Sequence, residues 1–183
     1  MTALDDAVLP AHRKPALRLV ENPTSHEFRD AMSRLATAVG IAACWEGSRA
    51  TGLLVSSITP LSVEPPRLLF CVQKSTRSHD AFLRAAECSL NVLSDADRIE
   101  AERFSTAARH WERFAPETWS LDRAAPPRYR AALIAIQGTI DHRMDAGTHS
   151  VFVVNVERVS TGEGGPLVYF DRGYSSLRPL ADD

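Results

Sequence analysis

Two short segments hold residues whose types and spacing suit chemistry. Gln73 to Asp80 (QKSTRSHD) sets two cations, Lys74 and Arg77, among the hydroxyls of Ser75, Thr76 and Ser78, with His79 at the start of a predicted helix. A phosphate taken out of water needs several donors together, because a lone lysine leaves most of its oxygens unpaired. Hydroxyls, a guanidinium and the free N–H groups of a helix start meet that need. The plainer alternative is a solvated turn with a capping serine at Ser78. The second segment, Val55-Ser56-Ser57, ends a predicted strand in two poor strand formers. Either the serines merely end the strand, or hydroxyls and backbone groups there pair with the polar edge of a flat heterocycle. Together the two segments suit a planar polar ring carrying a phosphate tail.

Asn91 lies inside the apolar strand SLNVL, where its amide must find partners or face outward. His149 stands where a turn (AGT) gives way to a strand, a place where histidine is more often a surface residue than a catalytic one. Asp141, His142 and Asp145 surround the same turn without metal-ligand spacing, so no metal is expected. Ser56 and Ser57 lie outside any GxSxG, and neither GxGxxG nor GxxxxGKS occurs, which removes the nucleophile-elbow, Rossmann and P-loop readings.

The elements that must position these residues are mostly strands. With 183 residues and a net charge of −2, the chain suits one domain and gives no reason to expect nucleic acid or a membrane as partner. Cys44, Cys71 and Cys88 are odd in number and far apart, which reads as free thiols. Without a secretory or membrane-length apolar run, a cytoplasmic location is the default expectation. Residues 1–22 read as a tail and 23–183 as the domain. Thr24 and Glu27 form a predicted capping box opening a helix over Ser25 to Leu35. Strands are expected over 39–45, 50–57, 68–72, 89–93, 133–144, 150–159 and 167–170, with helices at 79–86 and from Ser94 to about 104. Residues 105–130 lose all period among Trp111, Phe114, Trp119 and several prolines, the pattern of a binding loop or lid. Periodicity therefore predicts a mainly β protein, a β-barrel with peripheral helices.

Six segments, in order, carry a resemblance: FRDAMSRLATAVGIAA, GLLVSSITPLSVEPPRLLFCVQKSTRSHD, SLNVLS, ERFS, GTHSVFVVNVERV and GGPLVYFDRGYSSL. From Phe28 to Leu177 the chain resembles the short-chain flavin reductases, whose fold is the FMN-binding split barrel. The resemblance implies transfer of hydride from NADH or NADPH to FMN or FAD, commonly to supply reduced flavin to a separate monooxygenase. It also implies a homodimer. By matching positions it implies that Leu53, Leu54, Val55, Ser56 and Ser57 run along the flavin ring, with Thr37 and Val39 on an entry strand. Lys74, Ser75, Arg77, Ser78 and His79 match the phosphate loop, and Asn91, Val92 and Leu93 the strand on the far side of the flavin. His149 and Tyr174 match positions near the nicotinamide, with His149 as its orienter. A flavin-binding or electron-transfer module without nicotinamide reactivity is the alternative.

Overall fold

A computed structural model describes residues 17–178. Of the tail read over residues 1–22, positions 1–16 lie outside the described residues. Contacts divide the chain after Met32. The first unit holds α1 (Ser25–Met32), opened by the expected capping box: Glu27 accepts from the Thr24 N–H at 3.0 Å, and Thr24 Oγ1 accepts from the Glu27 N–H at 3.3 Å. The helix stops three residues short of its predicted end.

The second unit begins with β1 (Thr37–Ala38), β2 (Gly40–Glu46), β3 (Arg49–Val55), β4 (Thr59–Val63) and β5 (Pro66–Gln73). It continues through α2 (His79–Arg84), β6 (Glu87–Val92), α3 (Arg98–Ser105), β7 (Trp119–Ser120) and β8 (Arg128–Tyr129). The last strands are β9 (Ile134–Ala146), β10 (His149–Thr161), β11 (Leu167–Phe170) and β12 (Gly173–Ser176). Seven form one antiparallel sheet in the order β3-β2-β6-β9-β10-β5-β4, three form the small sheet β1-β11-β12, and β7 pairs with β8. The ring is left open between β3 and β4, and the fold is a split barrel with peripheral helices. β4 and β12 escaped the sequence reading because each is short and mixes polar with apolar residues, blurring the period of two. Residues 107–112, expected to be irregular, wind into a 3₁₀ turn.

Alternation along β2 explains why the sheet is covered on both faces. Ala42 and Cys44 point into one core with Leu68, Phe70 and Val72 of β5, Phe152 and Val154 of β10, and Phe82 of α2. Phe70 stacks on Phe152 with ring centroids 5.3 Å apart, and Phe82 meets both. Each such ring contributes about 1.5–3 kcal/mol by leaving water. Val39, Ile41 and Ala43 face the opposite way, into a second core with Phe104 of α3, Trp119 and Tyr129. The long connection therefore packs as a wall of this second core. Cys44 and Cys88 are buried free thiols, as read, while Cys71 is only partly covered. Burial, ahead of the Glu46 charge, pushes the Cys44 thiol up to about 12.

Asn91 joins the two cores. Fully buried on β6, its Nδ2 donates to the Ile41 carbonyl at 3.1 Å and to Ser89 Oγ at 3.0 Å, and its Oδ1 accepts from the Tyr129 N–H at 2.9 Å. One side chain thus ties β2, β6 and β8. Asn91→Ala leaves the buried Tyr129 N–H without its acceptor and strips the Ile41 carbonyl of its side-chain donor, and is expected to destabilise the fold by about 1–3 kcal/mol. Urea denaturation checks this; an unchanged midpoint would refute it.

Candidate functional site

β3 is an end strand, so alternate residues turn their backbone groups away from the sheet. Gly52 is one of them: its carbonyl accepts from Ser78 Oγ at 3.1 Å and from Arg113 Nη1 at 3.5 Å. In step with it, Leu54 also presents its N–H and C=O outward, and Ser56 follows directly after the strand's end. Gly52 has no room for a side chain, since a Cβ there would lie 2.4 Å from the Ala42 carbonyl oxygen.

Two clefts lie along this strand. The smaller, about 230 Å³, is lined by Val39, Leu54, Val55, Ser56, Ser105, Tyr169 and Tyr174. It brings five predicted residues together: Val39 from between β1 and β2, Leu54, Val55 and Ser56 from β3 and its end, and Tyr174 from β12. Tyr174 packs edge-on against Tyr169 with centroids 5.7 Å apart, and burial raises its phenol above the ordinary value. The larger cleft, about 620 Å³, opens beside Thr51 and Gly52 and takes in Arg77 and Ser78. Gly52 and Leu54 are about 7 Å apart along an extended strand, so the clefts neighbour one another.

The loop before α2 is held tightly. Lys74 N–H donates to the Thr148 carbonyl and Thr76 Oγ1 to the Gln73 carbonyl at 2.8 Å. Lys74 Nζ pairs with Asp145 Oδ2 at 2.5 Å, on the β9–β10 turn, so its charge is already answered. Among the described residues Arg77 has no carboxylate partner, and Ser75 and Arg77 are exposed. Ser78 does not cap α2 as its place in sequence suggested: it bonds Gly52 and, at 3.0 Å, Thr51 Oγ1. The demand of the outward Gly52 carbonyl takes precedence. His79 is buried, with Nε2 2.9 Å from Ser150 Oγ and Nδ1 3.4 Å from Asp80, and lines neither cleft.

The other predicted residues lie elsewhere. Ser57 Oγ accepts from the Cys71 N–H at 2.8 Å, binding the end of β3 to β5. Thr37 pairs with Tyr169 at the edge of the small sheet. Leu53 packs on the first core, and Asn91, Val92 and Leu93 are buried. His149 opens β10 between Ala146 and Gln73, its Nδ1 2.9 Å from Thr148 Oγ1, at the end of the barrel that carries the Lys74 loop and outside the Tyr174 cleft.

Trp45 and Arg49, which the sequence reading missed, also line the larger cleft, with Trp111, Arg113 and Arg123 from the segment read only broadly as a binding loop or lid. The cation–aromatic run RHWERF at 109–114 was the available signal. Arg113 is the organising residue. It donates to the carbonyls of Arg103, Phe104 and Thr106 at 2.8, 3.3 and 2.8 Å, closing the C-terminal end of α3, and lies over the Phe104 ring. Burial, and then the Arg77 charge, hold its guanidinium below the ordinary value.

The donor set suits a flavin phosphate: an exposed, unneutralised guanidinium beside a hydroxyl, with an unpaired strand edge about two residues away. Asp145 tests the anchoring of this loop. The Lys74 ammonium first, and the Gly147 N–H second, hold its carboxyl below the usual range. A depressed carboxylate supports the loop while ionised, above its unfolded pKa, and that support fades as pH falls through the folded value. NMR titration is expected to show a lowered Asp145 midpoint that rises in Lys74→Met; identical midpoints in both proteins would refute the pairing.

Residues 32–178 match the model of the flavin reductase like domain. The FMN reductase (NADH) RutF of Stutzerimonas stutzeri is 31% identical over 152 residues, 82% of this chain and 87% of that protein. The 4-hydroxyphenylacetate 3-monooxygenase reductase component of Pseudomonas aeruginosa is 29% identical over 159 residues, 85% and 94% of the two chains. The crystal structure of a flavin reductase domain protein from Arthrobacter sp. FB24 superposes with a TM-score of 0.80 at 26% identity, covering 87% of this chain and 99% of that one. A family match across most of the chain, on the same split barrel, places this protein in the flavin reductase-like family.

Proposed function

We propose that the chain is an NAD(P)H-dependent flavin reductase that passes reduced flavin to a separate oxygenase. The observation that carries this reading is the outward edge of β3, set between a tyrosine-walled cleft and an unneutralised guanidinium. Family membership supports it, with an NADH-dependent FMN reductase and a monooxygenase reductase component among the relatives. The name of the RutF relative favours FMN and NADH for this chain.

A flavin held here would accept the hydride and a nicotinamide would donate it; that chemistry belongs to the two cofactors. Position is the chain's part. The N–H and C=O groups of Leu54 and Ser56 pair with the polar ring edge, and Val39 and Tyr174 shield it from water. Arg77, with Ser75 and Ser78 beside it, receives the phosphate, while Lys74 holds the loop in place through Asp145. His149 orients the nicotinamide from the end of β10.

We also read the protein as a cytoplasmic homodimer with residues 23–183 as one domain. Exposed Tyr169 and Phe170 on the small sheet, and Leu61 and Val63 on the end strand β4, favour a twofold partner. The three free thiols suit a reducing compartment. Among the described residues no helix is long and apolar enough to cross a membrane.

Anaerobic mixing with FMN and NADH is expected to bleach the flavin catalytically. Flavin that binds and stays oxidised with both nicotinamides would replace this reading with a binding or electron-transfer module. Arg77→Ala is expected to weaken FMN about tenfold, the effect of one charged contact, and to leave riboflavin, which lacks the phosphate, unchanged. Equal losses for both flavins would remove Arg77 from the phosphate site. His149→Ala is expected to slow hydride transfer by about tenfold without abolishing it, or to weaken NADH by a similar factor; stopped-flow traces and NADH affinity matching the parent would remove His149 from the site.

A further inference from the structure

The 3₁₀ turn at 107–112 helps to wall the larger cleft, yet its strongest fastenings to the protein lie at its two ends. None of its residues is buried, and at Arg109 the backbone leaves helical geometry (φ −111°, ψ 20°). Inside the turn, Arg109 Nε donates to Glu112 at 2.9 Å and His110 Nδ1 lies 3.1 Å from the Ala107 carbonyl. Glu112 also meets Arg103 Nε at 3.5 Å, an ion pair from the turn to α3. Trp111 stands 71% exposed, a large aromatic face that neither core uses. A short 3₁₀ segment with so little burial opens and closes at low cost.

Arg113 ties the ends together. Its Nη2 donates to the Thr106 carbonyl at 2.8 Å, so one side chain bridges the two residues that flank the turn, and its backbone N–H donates to the His110 carbonyl at 3.4 Å. Phe114 follows with a left-handed φ of 59°, a costly conformation for a bulky residue. Its ring is fixed against Phe104 and Trp119, with centroids 5.2 and 4.7 Å away, so rearrangement of the turn falls to Thr106 and Arg113. The same guanidinium faces the site. Nη1 lies 3.5 Å from the Gly52 carbonyl that Ser78 also serves, and the Arg77 charge presses on it with no carboxylate on the cleft lining to answer either. An anion beside Arg77 and Ser78 would relieve that repulsion and favour a closer seat for Arg113. Resting on the flavin reductase reading, we propose that Arg113 is a positioning residue that couples the flavin phosphate held by Arg77 to closure of the 107–112 turn over the cleft. Trp111 leads that closure, covering the bound phosphate end with its indole and slowing release.

Hydrogen exchange of the full chain, read by mass spectrometry on peptides spanning 107–112, tests this with saturating FMN and saturating riboflavin. FMN is expected to slow exchange there by about tenfold, and riboflavin, which lacks the phosphate, to leave it unchanged. Equal rates with and without FMN, or equal protection by both flavins, overturns the proposal. Arg113→Lys keeps a charge beside Arg77 but cannot span three carbonyls, so FMN is expected to bind without adding protection. Protection equal to the parent's in that variant removes Arg113 from the link. Trp111→Ala changes an exposed side chain and decides the matter even if Arg113→Lys does not fold. It is expected to raise the FMN dissociation rate by about tenfold with the association rate unchanged; an unchanged dissociation rate overturns closure. Exchange is read on oxidised FMN without nicotinamide. A chain that reduces FMN without protecting the turn defeats this inference alone, and one that protects the turn but leaves FMN oxidised with both nicotinamides defeats the reductase reading alone.

Discussion

An open sheet must do something with the backbone groups of its end strands, and in this protein the solution at β3 organises the site. The outward carbonyl of Gly52 attracts two donors from opposite directions in sequence, Ser78 before α2 and Arg113 after α3. Through Ser78 the edge fixes the cationic loop; through Arg113 it fixes the connection that walls the larger cleft. Two residues further, the same edge leaves the outward groups of Leu54 without a strand partner. A buried unpaired carbonyl would be destabilising by about 1–3 kcal/mol, so the edge selects the conformations of both flanking segments. The missing side chain of Gly52 is part of the device, because a Cβ would collide with the Ala42 carbonyl.

Rigidity behind this edge comes from packing on both faces of β2. The Phe70–Phe82–Phe152 group fills the barrel and draws α2 onto it, while Phe104, Trp119 and Tyr129 cover the reverse face. Polar links run through the apolar layers. Glu100, buried in α3, accepts from Trp119 Nε1 at 2.8 Å and from Arg103 at 2.7 Å, and Tyr129 Oη donates to Asp97 at 2.8 Å. These polar links fix where the aperiodic connection lies, which apolar contacts alone leave loosely specified.

Charge is distributed to the same end. The chain as a whole carries a formal charge of −2, yet the cleft beside β3 gathers four guanidinia and no carboxylate on its lining. Lys74 looks equivalent to Arg77 in sequence but is neutralised by Asp145 and serves to hold the loop. Low-dielectric walls such as Trp45 and Phe114 concentrate the remaining field, drawing anions to the strand edge.

Sequence alone determined the class of fold and the family. Period-two alternation located most of the long strands, capping chemistry placed α1, and six ordered motifs gave the family that the match over residues 32–178 bears out. It also drew attention to Val39, Leu54, Val55, Ser56 and Tyr174, which converge on one cleft from distant parts of the chain. Local pattern cannot say which of two similar cations meets a carboxylate 71 residues away, or that Ser78 serves a strand edge instead of its own helix. Asn91 shows the same limit: its polarity was legible, but its three partners on β2, β6 and β8 exist only once those strands pair. The cationic cleft is the clearest case. Trp45, Arg49, Trp111, Arg113 and Arg123 come from separate stretches of chain, and the demand of the Gly52 carbonyl on Arg113, the stacking of Arg123 on Trp45 and its bond to the Gly47 carbonyl bring them to one cleft. Hydrogen-bond satisfaction and burial act between residues that are neighbours in space, and that neighbourhood is what the tertiary structure decides.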